Sequence, residues 1–235
     1  MGSGILLSMP TAEAIRMAAI VKANAPLLRE AGYKKRRHCF NRVTPAGLVH
    51  VVYFWQHPKE PPAWTEVPGL RERLYGTFRL DFGVFVPEMT RSQPSRSDWI
   101  NEYNCDLRTT IGKLVRGDDQ GDWWWPLADT DAEDVATSAL VEHGLPWLDR
   151  FPDHAAVLDG FRTGGPFGIG MSPAGALDIA QMLTGLDRPV EARAVLEGYV
   201  QQPVHRNHAE YLMKYLLDIG HADLISAITI REPDS

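Results

Sequence analysis

Four charged residues alternate with apolar ones along two stretches that are typical of β-strands. Arg79 and Asp81 belong to the first stretch, and Asp106 and Arg108 belong to the second. Because successive side chains of a strand point to opposite faces, these four are predicted to share an outward polar face. On neighbouring strands they would form a cross-strand charge ladder, worth roughly a few tenths of a kcal/mol per pair. The same face could instead recognise another macromolecule.

A basic run and a tryptophan run are expected to flank this face. Lys35 belongs to the run Lys34–Arg37, and Trp123 and Trp124 open a run of three tryptophans. Three successive side chains of an extended segment cannot all point inward, so at least one tryptophan should lie near the surface. Tryptophan and arginine are enriched in the hot spots of protein interfaces. We therefore predict a binding surface composed of Lys35, Arg79, Asp81, Asp106, Arg108, Trp123 and Trp124.

The same basic residues suit a second role, in an enzyme or a sensor. Lys35, Arg79, Arg108 and His50 could bind a small anionic ligand, such as a nucleotide, in a cleft between the sheet and the helices. Nucleic-acid binding would join the run Lys34–Arg37 to exposed aromatic rings. The acidic chain, with a pI of about 5.7, and the absence of a nucleic-acid-binding motif disfavour that reading.

The sequence lacks the complete motifs of nucleophilic catalysis and of phosphate-binding loops. No Gly-x-Ser-x-Gly motif occurs, and pairing of Cys105 with His50 is the remaining arrangement of nucleophile and base. The segment 165–170 contains a Gly-x-Gly, but it has neither the third glycine nor a preceding strand. We interpret that segment as a hinge.

Metal-binding patterns are similarly weak. His205 and His208 are three residues apart and could share an ion with His221 or Glu210, yet no His-Glu-x-x-His occurs. Surface histidines are the favoured interpretation. We expect no catalytic residue, no metal site and no cofactor.

Composition excludes disordered, fibrous and disulfide-scaffold classes. The 235 residues are 44% hydrophobic and 23% charged, with a net charge of −6. Residues 1–120 carry 17 basic and 12 acidic side chains, whereas residues 121–235 carry 7 and 18. The two cysteines, Cys39 and Cys105, form no CxxC pair, and no apolar run reaches the ~20 residues of a membrane span. The start of the chain shows no secretory signal pattern, so a cytoplasmic protein without membrane association is expected.

The periodicities predict an α+β protein. A helix over residues 11–31, capped by Thr11 and interrupted by Pro26, precedes a hairpin of strands over 38–43 and 48–55. Strands over 77–86 and 103–109 follow, separated by polar loops at 57–73 and 87–101. Together they predict a short antiparallel sheet of about four strands packed on the N-terminal helix. A capping box at Thr130–Glu133 predicts a helix ending at Gly144.

The remainder of the chain is predicted to be helical. Three to four antiparallel helices are expected between residues 173 and 235. The domain organisation is then an α+β domain over residues 1–161, a Gly/Pro linker over 162–172 and a helical region over 173–235.

The order of several short motifs resembles a bacterial domain-of-unknown-function family of small α+β proteins. The resemblance covers about residues 12–128, and its motifs are Gly32–Lys35, Phe40–Arg42, Leu80–Pro87, Cys105–Arg108 and Trp123–Trp124. It implies a fold type and supplies no catalytic residue. Together with the residues above, it favours a non-catalytic cytoplasmic protein that binds a protein partner, an immunity-like role being one example. The small anionic ligand remains the alternative.

Overall fold

The computed structural model describes residues 11–57, 74–89, 99–117 and 122–231. The strands are β1 (Lys34–Arg36), β2 (Cys39–Val43), β3 (Val49–Gln56), β4 (Thr77–Phe85), β5 (Leu107–Thr110) and β6 (Trp125–Pro126). The helices are α1 (Ala12–Glu30), α2 (Ile111–Arg116), α3 (Ala132–Ala139), α4 (Leu145–Asp149), α5 (His154–Gly168), α6 (Gly175–Gly185), α7 (Pro189–Val200) and α8 (Arg206–Asp218). Most of the polar loops predicted at 57–73 and 87–101 lies outside the described residues.

The strands form one antiparallel sheet in the order β1-β2-β3-β4-β5, and β6 pairs with the start of β4. The α+β class, the N-terminal helix and the helical C-terminal region are therefore confirmed. The sheet has five strands in its main path rather than about four. The strands that were missed, β1 and β6, have three and two residues, too few to show a period-two pattern.

One face of the sheet carries the main hydrophobic core. Phe78, Leu80, Phe82 and Val84 alternate along β4, are fully buried and belong to the same apolar cluster as the buried stripe of α1. Burying each such side chain contributes about 1.5–3 kcal/mol before entropy is counted. The alternation predicted for this strand is confirmed.

Helix α1 begins where the sequence predicts. Thr11 has an extended backbone, and its Oγ1 accepts a hydrogen bond from the Ala14 N–H at 3.2 Å. The helix continues without interruption through Pro26 and ends before Gly32, whose φ is 87°. Its position on α3 is fixed by Arg16, whose guanidinium contacts Glu133 at 2.5 Å.

The capping box and the helix end predicted at residues 130–144 are wrong. Helix α3 begins at Ala132 after Asp131, and no side chain caps it. The chain stays helical beyond Gly144, because a π-helical segment over Leu140–Gly144 joins α3 to α4. Gly144 allows the helix to pack closely on the sheet, because a Cβ at this position would overlap the ring of Phe82.

The other face of the sheet is covered by a connecting segment. Cys39, Val51, Phe85 and Cys105 form a small second apolar cluster, against which Trp99, Ile100 and Tyr53 pack. The predicted strand over 103–109 is shorter than expected, because Glu102–Asn104 is a 3₁₀ turn and β5 begins at Leu107. Tyr103 in this turn is 69% exposed.

The predicted Gly/Pro linker is largely helical. Residues 162–168 belong to α5, which bends at Gly165, where φ is 63°. Buried side chains of α6, α7 and α8 belong to the same hydrophobic cluster as those of the sheet and α1. The division of the chain into two domains stays a prediction. Among the described helices, none combines the length and apolarity of a membrane span.

Candidate functional site

The charges of β4 are bonded to each other and to a neighbouring loop. Arg79 Nη2 donates to Asp81 Oδ2 at 3.1 Å, and the Arg79 Nε lies 2.7 Å from Asp81 Oδ1 without pointing at it. The guanidinium also pairs with Asp122, whose other oxygen accepts from the Thr110 hydroxyl at 3.2 Å. Arg79 is therefore paired with two carboxylates, although its Nε and Asp81 Oδ1 make no hydrogen bond.

Aromatic rings enclose the Arg79 guanidinium. It lies 4.7 Å from the ring centre of Trp124 and 5.6 Å from that of Trp55. The two indoles meet edge to face at 5.2 Å. Trp123 and Trp124 are half-buried, whereas Trp125 is buried in the core beside Phe78. As predicted, the three tryptophans do not share one side.

Arg108 has a partner that the sequence did not reveal. Glu102, itself buried, accepts hydrogen bonds from Arg108 Nε at 2.6 Å and from Arg108 Nη2 at 3.0 Å. This bidentate pair fixes the plane of the guanidinium, while 48% of the Arg108 side chain stays exposed. Glu102 directly follows a predicted polar loop and belongs to no periodic pattern. Its pairing with Arg108 could therefore not be predicted from the sequence.

The prediction that Asp81 faces water is wrong, and Asp106, also predicted to face water, is half-buried. Asp81 is 2% exposed, and burial raises its pKa to about 6 against the opposing effect of Arg79. Burial likewise raises the pKa of Asp106 to about 7, and Asp178 adds to the effect. Asp106 Oδ2 accepts from the Val86 N–H at 2.8 Å. The segment over residues 99–106 and the loop at Asp122 cover this face.

Lys35 lies on the opposite face of the sheet from Arg79 and Asp81. Its cross-strand partner is Phe40, a core residue, and its Nζ lies 5.9 Å from the Phe40 ring centre. Arg36 instead shares a face of the sheet with Asp81. The strand register places Arg36 opposite Cys39, Cys39 opposite Tyr53, and Tyr53 opposite Asp81. The seven predicted site residues thus do not form one surface, and their binding role stays a prediction.

A cavity runs along the open edge of β1, and we call it the basic groove. It has a volume of about 1000 Å³ and reaches from Ala18 and Val21 of α1 to Trp99, Asn101 and Tyr103. Lys35, Arg36, Arg37 and His38 line it together with Tyr53, and among the lining residues that the structure describes none is acidic. The groove therefore combines positive charge with aromatic surface on both sides of an edge strand.

The cations of the basic groove form no ion pair with a described residue, unlike Arg42, Arg79 and Arg108. Lys34, Lys35, Arg36 and Arg37 are exposed and form no ion pair with any residue that the structure describes. Burial and the charges of Lys35 and Arg37 lower the pKa of His38. The positive charge of the groove is thus not neutralised from within this part of the chain.

The pairing of Cys105 with His50 does not occur. The His50 ring lies on the core side, where Nε2 donates to the Phe151 carbonyl at 2.8 Å and Nδ1 accepts from Arg42 at 2.9 Å. Cys105 lies in the cluster on the other face, and burial raises its pKa well above the ordinary value. Burial also raises the pKa of Cys39 to about 11, so both thiols are protonated at neutral pH.

The histidines considered as metal ligands are dispersed. His208 Nε2 lies 2.7 Å from the hydroxyl of Tyr199, and His221 contacts Arg193. Over the residues that the structure describes, no group of three or more potential ligand side chains could hold a metal ion.

Comparison with known proteins gives one match. The family model described as Domain of unknown function (DUF4304) matches residues 71–150, which include β4, β5, β6 and α2 to α4. No curated protein and no solved structure matches the chain. The predicted likeness to a domain-of-unknown-function family is confirmed, but the match covers only residues 71–128 of the expected range 12–128, continues to residue 150 and does not include residues 12–70.

Proposed function

We propose that the protein is a non-catalytic binding protein whose basic groove accepts an extended acidic segment of a protein partner. The observation that carries the proposal is the run of cations Lys34–Arg37, which form no ion pair with a described residue and lie beside a cavity of about 1000 Å³ whose described lining residues include no acidic one. Complementary charge accelerates association and selects partners. An immunity-like role is one function that such binding would serve.

The edge position of β1 favours an extended peptide. Residues flanking a two-residue hairpin turn form a hydrogen-bonded pair, here Arg36 with Cys39. Lys35 therefore directs its backbone N–H and C=O away from β2, toward the groove. A peptide that pairs there would alternate its side chains between the side lined by α1 and the side lined by Trp99 and Tyr103.

Backbone strain supports a binding role for Arg37. It occupies the first turn position with a φ of 56°, in the left-handed region where glycine is favoured. Keeping a non-glycine residue there costs about 1–2 kcal/mol. A long cationic side chain at a strained position beside a cavity is consistent with selection for binding rather than for stability.

Under this proposal, the charged residues on the face of the sheet that carries Asp81 have a structural role and do not bind the partner. Arg79 and Arg108 are already paired with Asp81, Asp122 and Glu102. A partner would have to displace these ion pairs, whereas the groove cations are open to it. The expected cytoplasmic and bacterial setting belongs to the same proposal, and two free, buried thiols support a reducing compartment.

The test uses a fluorescein-labelled peptide of alternating glutamate and valine, followed by fluorescence anisotropy. We expect Arg36→Gln combined with Arg37→Gln to weaken binding at least tenfold, because two charge-assisted contacts are lost. The matched control, Arg206→Gln with Lys214→Gln, removes the same charge from exposed positions of α8 and should leave the affinity unchanged.

Two competitor probes distinguish the other occupants. A lysine–valine peptide of equal length should not bind. Tighter binding of a single-stranded oligouridylate than of the acidic peptide, lost in the same groove variant, would replace the proposal with nucleic-acid binding. Equal losses in the groove and control variants would show that only net charge matters and would overturn the groove as a site.

A further inference from the structure

The strand pairing of β1 determines which residue of an extended partner lies opposite which cation of the basic groove. Arg36 and Cys39 form a hydrogen-bonded pair across the hairpin turn, so the backbone N–H and C=O of Lys35 point away from β2. An antiparallel partner would place one residue, which we call the central residue, opposite Lys35 and bond to it through two backbone hydrogen bonds. The two neighbours of the central residue then lie opposite Lys34 and Arg36. Because β1 has only three residues, this single bonded pair fixes the register of the partner.

One wall of the basic groove is largely apolar, and we call it the helix wall. Lys35 shares a face of the sheet with its cross-strand partner Phe40, on the side where α1 contributes Ala18 and Val21. The Lys35 ammonium lies 5.9 Å from the centre of the Phe40 ring. The side chain of the central residue would lie on this wall, because it shares a face with Lys35. A small apolar side chain would cover the methyl groups of α1, whereas a carboxylate would lose water to them.

The opposite wall provides hydrogen-bond donors, and we call it the aromatic wall. Arg36 lies on this side of the sheet, because the register places it opposite Cys39 and Cys39 opposite Tyr53. Burial raises the pKa of Tyr53, so its hydroxyl keeps its proton at neutral pH. The Tyr103 hydroxyl accepts from Asn101 Nδ2 at 3.0 Å, and its own proton can be donated to a further acceptor. Guanidinium and phenol groups are donors that a carboxylate accepts from.

Two buried carboxylates lie close enough to the aromatic wall to raise the pKa of its half-buried tyrosine. Both are already paired, Asp81 with Arg79 and Glu102 with Arg108. Arg36, in contrast, is exposed and forms no ion pair with a residue that the structure describes. A carboxylate of the partner can therefore pair with Arg36 without displacing one from this part of the chain.

We propose that the basic groove selects partners in which two acidic residues flank one small apolar residue. The apolar side chain lies on the helix wall, and the two carboxylates lie on the aromatic wall opposite Lys34 and Arg36. This inference rests on the proposed function and specifies the order of residues that the acidic partner carries. The same residues in another order leave only one carboxylate on the aromatic wall, because neighbouring side chains of a strand point to opposite faces.

The test compares two fluorescein-labelled peptides of equal composition and charge by fluorescence anisotropy. Both have Ser-Gly and Gly-Ser at their ends, and the middle is Glu-Val-Glu in one and Val-Glu-Glu in the other. The Glu-Val-Glu peptide should bind about tenfold more tightly, because both carboxylates meet the aromatic wall. Arg36→Gln should reduce this ratio at least threefold, whereas the matched variant Arg206→Gln on α8 should leave it unchanged.

Methylation of single backbone nitrogens in the Glu-Val-Glu peptide tests the register without changing charge. N-methylation of the valine removes the N–H that donates to the Lys35 carbonyl and should weaken binding at least tenfold. N-methylation of the second glutamate alters an N–H that points to solvent and should change the affinity less than threefold. The reverse pattern would shift the pairing by one residue and overturn the proposed order.

A substitution on α1 tests the helix wall. Ala18 is exposed, and Ala18→Glu should make a Glu-Lys-Glu peptide bind more tightly than Glu-Val-Glu, the reverse of the preference expected for the parent protein. Ala155→Glu, at an exposed position of α5, should keep the parent preference. An unchanged preference in Ala18→Glu, with a folded protein by circular dichroism, would exclude the helix wall as the position of the central residue.

The proposed order and the proposed function fail through different results. Equal affinity for the Glu-Val-Glu and Val-Glu-Glu peptides would overturn the order and leave the acidic partner in place. If neither peptide binds while the longer glutamate–valine peptide does, the acidic–apolar–acidic unit is not what the groove recognises, and the inference fails. If the longer peptide does not bind either, the proposed function fails with it.

Discussion

Replacing Asp106 by asparagine is expected to stabilise the protein at alkaline pH. The carboxylate accepts a hydrogen bond from the Val86 N–H at 2.8 Å, and burial together with Asp178 raises its pKa to about 7. Asparagine keeps an acceptor oxygen for Val86 and removes the charge that the site disfavours. The substitution therefore tests whether the Asp106 carboxylate is partly withdrawn from water, as the structure places it, or fully faces water, as the strand pattern predicts.

The magnitude follows from the difference between the folded and unfolded states. The ordinary pKa of the group is 3.8, so ionisation at a site with a pKa of about 7 costs the fold at most about 4 kcal/mol. Local relaxation and water entry reduce such costs, and we expect a gain of about 2 kcal/mol at pH 8. Between about pH 4 and pH 7, Asp106 stays protonated in the folded state but is ionised in the unfolded state. The free energy of unfolding of the parent protein therefore falls as the pH rises through this range. The gain should accordingly shrink toward zero near pH 4.

The assay is urea denaturation of both proteins at pH 5, 6, 7 and 8. The exposed residue Asp159 provides the control, because its replacement by asparagine should change the free energy of unfolding by less than about 0.5 kcal/mol at every pH. A variant at Asp106 that is destabilised at pH 8, or whose effect does not depend on pH, would refute the burial of this carboxylate.

Three further variants probe other parts of the structure. Arg37→Gly should raise the free energy of unfolding by about 0.5–1 kcal/mol by relieving the positive φ, yet weaken binding of the glutamate–valine peptide; lower stability in urea would contradict the strain. Arg79→Met should cost about 3 kcal/mol at pH 8 and less at pH 5, where Asp81 takes up a proton; equal losses at both pH values would argue against the buried pair. Gly170→Ala should cost about 3 kcal/mol, because the φ is positive and the new Cβ meets the Arg108 backbone; an unchanged melting temperature would exclude that contact.

Local signals with a regular period predicted the main elements of the fold. Thr11 and Gly32 bound α1 as their residue types suggest, and the alternation of Phe78 to Val84 assigned the core face of β4. These signals act within a few residues, where helix caps and strand alternation are decided by local geometry.

The candidate site depended on contacts between segments that no periodic pattern relates. The period-two pattern states which side chains of β4 share a face, but it does not state what covers that face. Asp81 is buried because the segment over residues 99–106 and Asp122 close over it. Glu102 becomes part of the site only through its ion pair with Arg108, which lies six residues away across a turn. Neither contact has a signature in the sequence.

The basic groove was missed for a related reason. The run Lys34–Arg37 was recognised, but its three-residue strand carries too little pattern to place it at a sheet edge. The residues that complete the groove come from α1, β3 and the segment near Trp99, and only the folded chain brings them together. Residues 165–170 likewise acquire a role only through the contact of Gly170 with Arg108.

Amide and indole NMR spectra recorded during titration with the glutamate–valine peptide test the central proposal most directly. The peptide should shift the backbone amides of Lys34–Arg37 and the indole of Trp99, and it should leave the indole of Trp124 in place. Shifts at the Trp124 indole and the Arg79 side chain, with β1 unaffected, would instead identify the charged face of the sheet as the surface that binds.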